Sequence, residues 1–148
     1  MKTKLTFLLL FALSLCVKAQ DIKLSSEAEI SVLTIGSGAN LNDAFGHSAF
    51  RIKDKLRNLD TVLNYGLYDF DTPNFYTKFA QGKLNYKMGG NYYDDFYESY
   101  ISQNRSIKEQ VLNLNQSQKQ QLFDYLLNNA KPENKYYLYD FFYDNCAT

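Results

Sequence analysis

Three short runs decide the fold: Ile30-Ser31-Val32-Leu33-Thr34-Ile35, His47-Ser48-Ala49-Phe50-Arg51-Ile52 and Thr61-Val62-Leu63-Asn64-Tyr65-Gly66. The first alternates and is rich in β-branched residues, the pattern of a strand. Gly36-Ser37-Gly38-Ala39-Asn40 ends it as a loop. The second run also predicts a strand, with Ala49 and Phe50 interrupting the alternation. Lys53 to Asp60 is a charged connection, and the third run returns as a strand. Two strands joined by a short polar loop pair antiparallel. Gly46 before His47 and Gly66 after Tyr65 mark tight backbone approaches.

Downstream, Asn74 to Gln81 predicts a helix. Asn74 is the expected cap, Phe75 and Phe79 lie one turn apart, and Gly82 stops the helix. Leu84 to Met88 predicts a strand ended by Gly89-Gly90. Tyr93 to Ile101 places Phe96, Tyr97, Tyr100 and Ile101 on one helix face. Ser106 to Leu114 alternates loosely and predicts a strand. Ser117 to Ala130 is the clearest helix, with Leu122, Tyr125, Leu126 and Asn129 recurring and Pro132 beyond its end. Strands with interspersed helices make an α+β domain. The 13 Tyr and 11 Phe are spread along the chain, which suits core and pocket wall better than a platform for stacking bases.

Upstream, Met1-Lys2-Thr3-Lys4, an apolar run from Leu5 to Val17, and Lys18-Ala19-Gln20 have the form of a bacterial secretory signal. Val17 and Ala19 suit the small-residue positions before a cut at Gln20. Residues 1–19 are therefore expected to be a cleaved signal peptide, and residues 20–148 one exported domain. The apolar run is short for a bilayer span, which needs about 20 residues. Leu13-Ser14-Leu15-Cys16 faintly resembles a lipobox, but bulky Leu15 argues against lipid anchoring at Cys16. Removing Lys2, Lys4 and Lys18 leaves 13 basic and 16 acidic side chains, a net charge of −3. A weakly acidic chain without a Lys/Arg cluster has no electrostatic means of holding nucleic acid.

Cys146 is the one cysteine left after such processing, so it has no internal disulfide partner. It is a metal ligand, an intermolecular partner, a buried apolar residue or a nucleophile. The single histidine, His47, argues against a metal site, and no cofactor is expected. A cysteine nucleophile attacks as thiolate, so it needs a lowered pKa and a nearby base. Asp144-Asn145-Cys146-Ala147-Thr148 would supply a capped helix start, whose partial positive charge favours thiolate. His47 is the only histidine available as base. Asn64, on the strand paired with that of His47, is the expected orienting residue, and Asp69 and Asp71 are its rivals. Taken singly, a lone cysteine is more often a small buried hydrophobe.

Four blocks add a resemblance: Phe45 to Arg51, Leu63 to Gly66, Phe79 to Tyr86 and Tyr139 to Thr148. Together they closely resemble the Lnb N-terminal periplasmic domain family, a domain of unknown function common in Bacteroidetes. The similarity runs from about Ile30 to Thr148. That family in turn looks like the circularly permuted branch of the papain-like NlpC/P60 superfamily, in which the histidine strand precedes the cysteine helix. The resemblance implies an antiparallel sheet packed with helices, a catalytic pair of Cys146 and His47, and a polar residue at Asn64. It also implies further chain after Thr148. The fragment would then lack most of its cysteine helix, and membrane association would come through that missing region.

The function expected is an exported thiol hydrolase or acyltransferase acting on an amide or ester carbonyl. Its substrate would be a peptide, glycan or lipid of the cell envelope. The alternatives are a non-catalytic periplasmic binding module with an aromatic-rich groove, and a redox or oligomerising thiol.

Overall fold

The computed structural model describes residues 22–40, 43–69 and 71–138. The three deciding runs form β1 (Glu29–Ile35), β2 (His47–Asp54) and β3 (Leu59–Leu67). β1 pairs antiparallel with β2, and β2 with β3. Half of the charged connection is strand: β2 runs on to Asp54, β3 begins at Leu59, and a 3-10 turn over Lys55–Arg57 with Asn58 at φ 51° reverses the chain. Asp54 is fully buried at this corner, where the Ser25 backbone N–H and hydroxyl each donate to its carboxylate at 2.7 Å. Burial alone would raise its pKa, but those hydrogen bonds and the Arg57 cation hold it below the ordinary carboxylate value.

β4 (Asn85–Tyr92), β5 (Ile107–Val111) and β6 (Tyr136–Leu138) complete a six-stranded antiparallel sheet in the order β5-β1-β2-β3-β4-β6. β4 does not end at Gly89-Gly90; it continues to Tyr92. Those glycines face β3, and a Cβ on Gly89 would lie 2.6 Å from Leu67 Cδ1. Here glycine serves close packing and is not a stop signal. The three residues of β6 carry too little pattern to be read from the sequence, and pairing with β4 defines them.

Three helices lie among the described residues: α1 (Phe75–Ala80), α2 (Tyr93–Ile101) and α3 (Gln116–Asn129). Asn74 precedes α1 but does not cap it through its side chain; at φ 58° it is left-handed. α3 has the proper device. Asn115 Oδ1 accepts from the Gln118 N–H, and the Gln118 side chain accepts from the Asn115 N–H.

α2 and α3 lie on opposite faces of the sheet, as the alternation of β1 to β3 requires. On the α3 side Ile30, Ile52, Leu63 and Met88 pack with Phe123 and Leu126. Burying each such side chain stabilises the fold by roughly 1.5–3 kcal/mol. Phe123 and Leu126 carry the buried stripe, and Tyr125, expected on it, is exposed. On the α2 side Leu33, Ile35, Ala49 and Val62 pack with Phe96, flanked by Tyr93 and Tyr100. Tyr97 and Ile101 of the expected α2 face are also exposed.

Candidate active site

His47 is the first residue of β2 and lies opposite Ile35, the last of β1. Gly46 makes that entry feasible. Its φ is +76°, and a Cβ there would lie 2.6 Å from the Ile35 carbonyl oxygen. Ala49 pairs with Asn64 across β2 and β3, so His47 and Asn64 are diagonal neighbours on one face. Beyond Asn64 the β3–β4 register shifts in a bulge before Leu67. Gly66 lies within it and donates its N–H to the Tyr137 hydroxyl at 2.6 Å.

The diagonal pair is closed by a hydrogen bond of 2.7 Å between His47 Nε2 and Asn64 Oδ1. An amide oxygen only accepts, so Nε2 carries the hydrogen and the neutral ring keeps its lone pair on Nδ1. Asn64 is itself buried, which fixes the acceptor. The rivals are elsewhere: the Asp71 N–H donates to the Asp69 carboxylate at 3.0 Å in an exposed turn.

The ring of Tyr100, from α2, stacks on His47 with centroids 6.3 Å apart and planes at 28°. The buried Arg105 guanidinium lies 4.8 Å over the Tyr100 ring. Arg105 also donates to the Gly36 carbonyl at 2.9 Å and pairs with the Asp43 carboxylate at 3.3 Å. Burial is the largest influence on His47 and lowers its pKa; the Asn64 hydrogen bond opposes it, the Arg105 cation adds to it, and Asp43 opposes it. The net shift is below the ordinary 6.5, so the imidazole is neutral near pH 7 and able to take a proton.

These groups open onto a cleft of about 480 Å³, lined by His47, Asp43, Tyr68, Tyr100, Gln103 and Arg105 among others. Asp43, Tyr68 and Arg105 were not anticipated as site residues. Asp43 and Arg105 lie in connections with no periodic signal, and only tertiary packing brings them to His47. The proposed nucleophile, Cys146, lies outside the described residues, as do Cys16 and the expected signal peptide. Among the described residues no three His, Cys, Asp or Glu groups converge as a metal site requires. Nor is any described helix long and apolar enough to cross a membrane.

A search of curated proteins and a search of solved structures each returned no match. A family model does match, over residues 19–148, and so takes in the histidine strand, its asparagine neighbour and the segment around Cys146. On that match, the chain belongs to the Lnb N-terminal periplasmic domain family.

Proposed function

We propose that this protein is a periplasmic thiol hydrolase or acyltransferase in which Cys146 attacks and His47 is the base. The observation that carries this reading is the 2.7 Å hydrogen bond from His47, which lines an open cleft, to buried Asn64 behind it. A histidine held by an amide oxygen at Nε2 presents Nδ1 as a proton acceptor, the arrangement a thiol nucleophile needs. In the first step Nδ1 takes the Cys146 proton while sulfur bonds to an amide or ester carbonyl carbon. The imidazolium then protonates the leaving amine or alcohol as the acyl–thioester forms. Water or a second acceptor, deprotonated by the same nitrogen, releases the acyl group. Backbone N–H groups near Cys146 would steady the oxyanion. On this reading the domain is a circularly permuted papain-like fold of the NlpC/P60 type, and residues 1–19 are a cleaved export signal.

The test is labelling of the exported full chain by an electrophilic thiol probe, with the modified cysteine located by mass spectrometry. Cys146→Ala should abolish labelling. His47→Ala should slow it by about 100-fold or more, the usual contribution of a positioned base. Asn64→Ala should slow it by about tenfold, the rate equivalent of one hydrogen bond. Equal labelling of the wild type and His47→Ala at neutral pH would overturn the pair, leaving a binding module with an aromatic-walled cleft.

A further inference from the structure

Arg105 grips the surroundings of His47 along two routes. On the ring side, its backbone N–H donates to the Tyr100 carbonyl at 3.1 Å, and its guanidinium lies over the Tyr100 ring. One residue therefore holds Tyr100 at both ends, and Tyr100 is what stacks on the imidazole. On the backbone side, the guanidinium pairs with Asp43, whose carbonyl accepts the Gly46 N–H at 3.1 Å, one residue before His47. It also donates to the Gly36 carbonyl, and the Gly36 N–H donates to the Ser106 carbonyl at 2.8 Å. The two routes join α2 to both ends of the β1–β2 loop.

A cation this buried is costly to place unless its partners are well arranged. Its side chain is 4 % exposed and keeps a carboxylate, a carbonyl and an aromatic face as partners. An apolar residue would span the same gap between α2 and the loop without that desolvation cost. What an apolar residue would not supply is a positive charge facing a histidine that must remain unprotonated.

We propose that Arg105 is the positioning residue of this site, pinning the imidazole against Asn64 through Tyr100 and the Asp43–Gly46 loop and keeping its own cation, paired with the Asp43 carboxylate, beside the ring. The inference deepens the thiol-chemistry reading and rests on it for its catalytic meaning. Among the described residues, the charged and titratable groups around the ring are Arg105 after α2, Asp43 in the β1–β2 loop, Tyr100 on α2 and Tyr68, which lines the same cleft from beyond β3.

The chain has a single histidine, so one ring resonance reports the site directly once any affinity-tag histidines are removed. The experiment is an NMR pH titration of that resonance in the full chain, run beside the pH profile of Cys146 labelling. Arg105→Met should raise the His47 midpoint by about one unit, the effect of losing one nearby like charge. Arg105→Lys should restore most of the wild-type value. Asp43→Asn should move the midpoint the other way, a reversal that a purely structural role does not produce. If Arg105→Met does not fold, Asp43→Asn decides alone. A His47 midpoint unmoved to within about 0.2 unit in Arg105→Met and Asp43→Asn, or in whichever of the two folds, overturns the proposal, whatever the labelling shows. Shifts as expected, with labelling indifferent to His47, would remove the thiol reading and leave Arg105's control of the imidazole standing.

Discussion

The two faces of the sheet are built by opposite rules. The α3 face is mainly an apolar layer of Ile30, Ile52, Leu63, Met88, Phe123 and Leu126, with hydrogen-bonded Asp54 buried at its corner. The α2 face mixes Leu33, Ile35, Val62 and Phe96 with buried Arg51, Asn64 and Arg105. Among the described residues, each buried polar side chain there has a partner. Arg51 meets Asp60 at 2.7 Å and Glu109 at 3.0 Å, and its guanidinium lies 3.3 Å from the Tyr93 ring centroid. Ser31 donates to the same Glu109 at 2.6 Å. The α3 face uses non-directional burial, which stabilises in proportion to area. The α2 face uses directional contacts, which add less stability but hold side chains in one geometry. One face anchors the sheet so that the other can hold His47 and Asn64 in place.

The largest effect should come from the apolar face. Phe123→Ala removes a ring that is 2 % exposed and should cost about 3–5 kcal/mol, read as a lower urea midpoint. His47 in the fraction that remains folded should titrate as in the wild type, because the sheet lies between them. A changed titration would show that the faces are coupled.

Next is the ion cluster. Arg51→Met leaves Asp60 and Glu109 without their cation, but these are 39 % and 33 % exposed and solvent can take them up. The loss should be about 2 kcal/mol, below that of a fully buried pair. A loss equal to that of Phe123→Ala would break the distinction between the faces.

The smallest effect is pH dependence. His47 has a folded-state pKa below 6.5, so the unfolded chain protonates first as pH falls. The stability tied to its neutral form is complete above that value and declines as pH drops from it toward the folded-state midpoint. Asp54, held below its ordinary value of 3.8, contributes only at lower pH. Urea midpoints at about pH 7.5 and about pH 5.5 should differ in the wild type, and the part due to His47 should vanish in His47→Gln. An undiminished difference in that variant would assign the slope to another group.

Much of the fold was legible because alternation is a local property. Strands β1 to β3, helix α2 and helix α3 follow from spacing that the backbone period imposes. The Gly89-Gly90 misreading shows the limit, since glycine is both a turn residue and a close-packing residue, and only the neighbouring Leu67 tells which. Asn74 shows it again: Asn favours caps and left-handed backbone alike, and here it takes the second. Within the site, His47 stood out as the single histidine, and Asn64 followed from strand pairing.

By itself, then, the sequence determined the α+β class, the antiparallel pairing of β2 with β3, and the placing of His47 and Asn64 on adjacent strands. Tertiary structure alone decided the diagonal register that closes their hydrogen bond, the bulge beyond Asn64, and the arrival of Asp43, Tyr100 and Arg105 around the ring. The physical reason is range. Side-chain period and single-residue chemistry are written along the chain, whereas desolvation, ring stacking and ion pairing depend on residues that meet only after the sheet has formed.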